Sequence, residues 1–233
     1  MMQALTRLTL DHPDYYYDRK TNRYKYKDTN RFAPKQAILA LTEKYRDHSK
    51  ADLIKLAHQY HSGQLSLEQF QRLAASNIKQ IHLAEAILGA GGVEVMTPAR
   101  FLIVARQLKR QYYTGIDPLT RDRFGLKHLA ADIVDGISEA QLANRLRMYG
   151  DAAKVSFWSV KTDVARSQDN TEARRVLGKT HQHCEQCLRY AALGWVSIEQ
   201  LILPTQQCEC RSQCKCTVEF RSLHTLNKKP QRI

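Results

Sequence analysis

Between Leu67 and Leu88 the apolar residues return at three- and four-residue steps: Leu67, Phe70, Ala74, Ile78, Ile81, Ala84 and Leu88. That spacing lays them along one stripe of a single long helix. Ser66-Leu-Glu-Gln69 supplies a capping box, in which the Ser hydroxyl accepts an orphan N–H and the Gln reaches back to the N–H of the cap residue. Gly89-Ala-Gly91-Gly92 ends the helix, because glycine permits the left-handed turn needed there. Upstream, Ser49-Lys-Ala-Asp52 predicts another helix start, with Leu53, Ile54, Leu56, Ala57 and Tyr60 on its stripe and Gly63 as its stop. Downstream, Thr97-Pro98 reads as an N-cap with proline at the first helical position, followed by Phe101, Leu102, Ala105, Leu108 and Tyr112. Gly115-Ile-Asp117-Pro118 interrupts, and Phe124, Leu126, Leu129, Ile133 and Ile137 resume. Ser138-Glu-Ala-Gln141 is a second capping box. The residues after it, Leu142, Leu146, Tyr149, Ala153, Phe157, Val160 and Val164, predict a long helix with Gly150 as its weak point. Residues 36–168 therefore read as a helical body, a bundle of about five helices without an internal repeat.

The two ends depart from this pattern. In residues 1–35, Tyr15, Tyr16 and Tyr17 lead into Arg23-Tyr24-Lys25-Tyr26-Lys27 and then Arg31-Phe32-Ala33-Pro34. Aromatic and basic residues alternate there with no helical stripe, which predicts an extended arm or a short strand. Tyrosines beside Arg and Lys can stack on bases and pair with phosphates. The same residues are enriched at protein interface hot spots, and the docking-arm reading is the favoured one. Tyr15, Tyr16, Tyr17, Arg23, Tyr24, Tyr26, Arg31 and Phe32 are its candidate partner-binding residues. At the other end, residues 169–222 read as a small α/β module, and residues 223–233 as a basic tail. Cys216-Thr-Val218-Glu-Phe220 predicts a strand with Cys216, Val218 and Phe220 on one face.

Composition narrows the field. The chain has no run of eighteen apolar residues, so no membrane-spanning helix is expected. Its start, Met1-Met2-Gln3-Ala4-Leu5-Thr6-Arg7, has no apolar core of a signal peptide, and synthesis in a reducing cytoplasm is expected. A formal net charge of +13 favours nucleic acid or acidic protein surfaces as partners, although the cations are spread along the whole chain. Phosphate-binding glycine loops, the His-Glu-x-x-His pair and the Gly-x-Ser-x-Gly elbow are all missing, so no enzymatic activity is expected. His58, His61, His82 and His128 read as surface or half-buried residues of amphipathic helices.

Chemistry concentrates in the module. All six cysteines lie between Cys184 and Cys216, as His181-Gln-His183-Cys184-Glu-Gln-Cys187 and then Cys208-Glu-Cys210-Arg-Ser-Gln-Cys214-Lys-Cys216. A Cys-x-x-Cys pair followed by a second tight group is metal-ligand spacing. Two thiolates from each group can close a tetrahedral Zn2+ site, which staples a segment too short to bury a core of its own. Cys184 and Cys187 form the first pair. Cys210 and Cys214 are the expected second pair, with Cys216 as the alternative ligand. A site closed by four thiolates has no open position for water and is structural. The fold class expected is mainly α: an extended N-terminal arm, a helical bundle with long helices, and a small C-terminal zinc-stapled α/β module.

The order of features after about Ala152 resembles the minor head, or head morphogenesis, proteins of tailed bacteriophages, the group related to the Mu F protein. The residues that carry the resemblance are Val164-Ala165-Arg166, His183-Cys184-x-x-Cys187, Gly194-Trp195-Val196 and Cys210-x-x-x-Cys214-Lys-Cys216-Thr-Val218. Arg23-Tyr24-Lys25 with Asn30-Arg31-Phe32, and Gly91-Gly92 with Met96-Thr97, are similar to one branch of the same group. Here Cys210 stands where the family often has His, and Cys208 is an additional thiol. The resemblance implies a structural virion protein near the portal vertex, present in multiple copies, that assists head assembly, neck connection or DNA delivery. Its partners would be portal or other head and neck proteins, with packaged DNA as a further contact. The competing reading is a zinc-dependent nucleic-acid-binding regulatory protein.

Overall fold

The computed structural model describes residues 14–18, 20–21, 23–113, 115–116, 123–180 and 182–222. The chain is mainly helical. A hairpin of β1 (Tyr15–Asp18) and β2 (Arg23–Tyr26) comes first. Helices α1 (Lys35–His61), α2 (Leu67–Ala90) and α3 (Pro98–Tyr112) follow. A two-residue hairpin, β3 (Gly115–Ile116) with β4 (Arg123–Phe124), then leads to α4 (Leu126–Val134), α5 (Glu139–Ala152) and α6 (Lys154–Ser167). The C-terminal part holds β5 (Glu172–Val176), α7 (Glu185–Ala192), β6 (Val196–Ser197) and β7 (Thr217–Arg221), with the antiparallel strand order β6-β5-β7. The basic tail from residue 223 lies outside the described residues.

Local signals set most helix ends. Ser66 and Ser138 both form the capping boxes expected of them, and Thr97 accepts from the Arg100 N–H at 3.3 Å. Gly91 closes α2 at φ 99°, a left-handed conformation that glycine adopts without cost from a Cβ. Two expectations change. Helix α1 does not begin at Ser49 but runs unbroken from Lys35, with Pro34 as its cap residue. Ser49 lies buried within it and donates to Asn77 Oδ1 at 2.5 Å, so its hydroxyl joins two helices and caps none. The long helix predicted after Ser138 is divided at Ala153 into α5 and α6, while Gly150 stays helical. Gly150 is needed for space: a Cβ there would meet Lys50 Cγ at 2.7 Å.

Two apolar cores share α2. The first joins Leu53 and Ala57 of α1, Phe70, Ala74 and Ile78 of α2, Val104 of α3, Leu129 of α4, Leu142 and Leu146 of α5, and Val160 of α6. The second joins Tyr45 of α1, Ile81 and Leu88 of α2 and Trp158 of α6 to Ala173 of β5, Ile198, Leu203 and Val218 of β7. Body and module thus bury apolar surface against each other across residue 168. Helices α2 and α6 come close enough that a Cβ on Gly89 would overlap the Phe157 carbonyl.

Polar groups are buried at the same contact. His82, fully buried, meets Ser156 Oγ at 2.7 Å, and Arg46 donates to Glu85 at 2.8 Å. Burial pushes the His82 pKa down to about 3. Burial also pushes Glu85 up to about 7, against the pull of Arg46.

Replacing Gly89 by Ala should overpack this contact and cost about 1–3 kcal/mol, read as a lower urea midpoint at unchanged slope. His82 has a second signature. Its folded pKa lies below the unfolded value of about 6.5, so its contribution is present above that pH and is lost as the pH falls toward 3. Glu85 has the opposite sign: its contribution is present below the ordinary carboxylate pKa and is lost as pH rises through about 7. Comparison with His82→Asn isolates the histidine. The stability difference between wild type and variant should shift by about 3 kcal/mol against the wild type between pH 7 and pH 4, measured by urea unfolding at both.

Candidate metal centre

Cysteines reach one point from two elements. Cys184 is the cap residue of α7 and Cys187 sits in its first turn. The spacing therefore puts both thiols at the N-terminus of α7. The other four come from the loop that precedes β7. That loop is unusually bent: Thr205, Gln207 and Arg211 all have positive φ, at 74°, 48° and 42°. Non-glycine residues held there store strain, which persists only where surrounding contacts over-determine the backbone. A one-turn 3-10 helix, Arg211–Gln213, lies between Cys210 and Cys214 and brings those two thiols round to α7. Gly178 lets the chain after β5 pass against the Lys215 carbonyl.

The compact group is Cys187, Cys208, Cys210 and Cys214, whose sulfurs all lie within 4.8 Å of one another. Cys187 is 3.4 Å from Cys210 and 3.7 Å from Cys214, and Cys210 is 3.6 Å from Cys208. All six thiols are free, and these separations are far longer than the roughly 2.0 Å of a disulfide bond. A tetrahedral ion with Zn–S bonds of about 2.3 Å sets its sulfurs about 3.8 Å apart. The residues therefore fit a thiophilic divalent ion, and four cysteines close together could hold one. Three of the four thiols expected from spacing are in this group. Cys208, expected to be a spare thiol, stands in it where Cys184 was expected. Cys184 lies at the rim, half-buried and 3.6 Å from Cys210. Cys216, the expected alternative, is buried beside the group but outside it. His183 is half-buried and outside the group, and His181 falls outside the described residues.

Arg175 was not among the expected site residues, yet it reaches the centre. It lies on the central strand β5 opposite Val218 of β7, and only 3% of it is exposed. Its Nη2 donates toward Cys214 at 3.0 Å, Cys187 at 3.4 Å and Cys208 at 3.5 Å. Its Nη1 donates to the Ile202 and Leu203 carbonyls at 3.3 and 3.5 Å, and the guanidinium stands 5.2 Å from the Tyr190 ring centre. Among the described residues none of these hydrogen bonds goes to a carboxylate. A guanidinium stays charged at any ordinary pH, and a buried charge needs a counter-charge. The sulfurs are the groups placed to supply it. Without a metal, hydrogen bonds from Cys208 and Cys216, and the charge of Arg175, hold the Cys214 thiol far below the usual thiol pKa. The signal for Arg175 was present in the alternation of β5: Ala173 and Arg175 share the inward face, so one of the two adjacent arginines had to point into the protein.

The aromatic arm is also placed. In the hairpin register Tyr15 pairs with Tyr26 and Tyr17 with Tyr24, which sets these four tyrosines on one face. That face packs on the chain's own body: Tyr24 donates to the Leu88 carbonyl at 2.6 Å, and the Tyr17 ring lies where a Gly91 Cβ would be, 2.5 Å away. The other face presents Tyr16 and Arg23, with the Arg23 guanidinium 4.1 Å from the ring centre of Phe32. Tyr16, Arg23, Arg31 and Phe32 are exposed. The eight candidate partner-binding residues thus divide into an inward set of four tyrosines and an outward set of four.

Among the described residues no helix is long and apolar enough to cross a membrane. In comparisons with protein-family models, curated proteins and solved structures, nothing matches the chain.

The compact group makes a sharp test of the ligands. Cys208→Ser should abolish uptake of a thiophilic divalent ion by the purified protein, whereas Cys184→Ser should keep it, both measured by elemental analysis against protein concentration.

Proposed function

We propose that the chain is a structural component of a tailed-phage virion, a minor head protein at the portal vertex that assists head assembly, neck connection or DNA delivery. The observation that carries this reading is the order of features along the module. A helix enters it, the Cys184-x-x-Cys187 pair follows, Gly194-Trp195-Val196 comes next, and Cys210-x-x-x-Cys214-Lys-Cys216 leads into the last strand. A structural Zn2+ held by cysteine thiolates would supply cross-linking and no reaction, because four thiolates leave it no open position. The body then acts as a spacer between two docking ends. The outward hairpin face, with Tyr16, Arg23, Arg31 and Phe32, is the partner-facing set at one end. The overall charge of +13 suits an acidic portal surface or packaged DNA.

The charge distribution speaks against the regulatory alternative. A nucleic-acid-reading zinc module needs free cations around its metal. Here Arg174 pairs with Glu219 at 2.8 Å, Arg221 with Glu172 at 2.6 Å and Lys215 with Glu43 at 3.7 Å, and Arg175 is turned inward.

The test is a pull-down of the purified chain against a tailed-phage portal protein, with metal read on the same sample. Portal binding by a protein that carries zinc is the expected result, and replacing Arg23 and Phe32 together by Ala should weaken it at least tenfold. A zinc protein that ignores the portal but binds short duplex DNA with steep salt dependence would overturn the virion reading.

A further inference from the structure

A single tetrahedral ion would leave two of the six thiols unassigned. Cys216 is fully buried and hydrogen-bonds to Cys214, and Cys184 lies 3.6 Å from Cys210. Six sulfurs in one continuous cluster are also the donor set of a two-ion centre in which ions share thiolates. The number of cations the cluster accepts therefore depends on what else is positively charged within it.

We propose that Arg175 is a resident cation of this centre: it covers the sulfur face of Cys187, Cys208 and Cys214, limits the six-thiol cluster to one metal ion, and strengthens the binding of that ion. The proposal rests on the metal reading of the cysteine cluster. Its physical basis is placement. The Nη2 group stands 3.0–3.5 Å from three sulfurs at once. An ion bound to those sulfurs from the same side, at about 2.3 Å from each, would overlap the guanidinium and repel it. An ion seated away from the guanidinium, toward Cys210, to which Arg175 makes no hydrogen bond among the described residues, would share the sulfurs without touching it. Four thiolates around a divalent ion carry two net negative charges, and the guanidinium offsets one of them in a buried setting where an uncompensated charge is costly. Hydrogen bonds from N–H groups that hold metal ligands in place are worth about 10- to 100-fold in metal affinity.

The orientation is fixed by groups that do not touch the metal. The Ile202 and Leu203 carbonyls accept from Nη1, and the Tyr190 ring flanks the guanidinium plane. Arg175 is paired with Val218 in the five-residue β5–β7 ladder, which fixes its backbone. A residue placed this way is a positioning group for the ligands, and its removal should change the metal's spectrum as well as its affinity.

The experiment is a cobalt(II) titration of the full chain, followed by competition with a chelator, on wild type, Arg175→Met and Arg175→Lys. Each variant is first matched to the wild type by far-UV circular dichroism. The wild type should saturate at one cobalt per chain. Arg175→Met should bind about 10- to 100-fold more weakly with a shifted thiolate-to-cobalt charge-transfer band, and Arg175→Lys, which keeps the charge but loses the fork, should fall between. Saturation of the wild type at two ions would overturn the proposal, as would equal affinity and an unmoved band in both variants. A wild-type chain that takes up no cobalt would overturn the metal reading itself and this inference with it.

Discussion

The close approach of α2 and α6 is the constraint on which the other placements depend. It requires a missing side chain at Gly89, which would otherwise overlap the Phe157 carbonyl. With the two helices in contact, Leu88 and Trp158 enter one core, and the sheet of the module closes that core from the other side through Ala173 and Val218. The same approach brings the C-terminal end of α2 to the surface where the hairpin tyrosines settle, with Tyr24 on the Leu88 carbonyl and Tyr17 over Gly91. One glycine-rich helix end thus positions both the aromatic hairpin and the cysteine module. Side-chain volume achieves this, since interiors packed at crystal density cannot absorb an extra methyl without moving something.

Polar groups buried along that seam give it direction as well as closeness. His82 with Ser156 and Arg46 with Glu85 each satisfy a geometry that a slipped helix would break. Lys154, at the start of α6, is buried too, and its ammonium hydrogen-bonds the Cys214 carbonyl. Lys35, at the start of α1, reaches the Val218 carbonyl at 3.3 Å. The module is therefore held by its backbone to the first residues of two body helices, as well as by its apolar face.

The sequence made local features legible and left long-range ones hidden. Caps at Ser66, Thr97 and Ser138 were readable because a cap needs only residues three apart. The true start of α1 was not, because Thr42, Arg46 and Ser49 break its apolar stripe with polar side chains that are buried against other helices. His82, expected at the surface or half-buried, is fully buried, and neither it nor Glu85 could be placed from the sequence because their partners, Ser156 and Arg46, are 74 and 39 residues away. At the candidate metal centre, spacing identified the cluster and three members of its compact group. It could not place Cys208, whose entry depends on left-handed turns at Thr205 and Gln207, residues with no glycine to announce them. Arg175 was hidden in plain composition as one more cation in a basic chain.

The bond from Lys154 to the Cys214 carbonyl has a consequence for cooperativity. Lys154 feels Arg46 and Glu85 within the helical body, so its charge belongs to the same buried balance as theirs. When the cysteine loop opens, the ammonium loses an acceptor inside the protein, and the seam between α1, α2 and α6 loses a compensating dipole. Loop and bundle are thereby linked through one side chain: a displacement of the cysteine loop reaches the buried charges of the helices, and a shift of α6 reaches the loop.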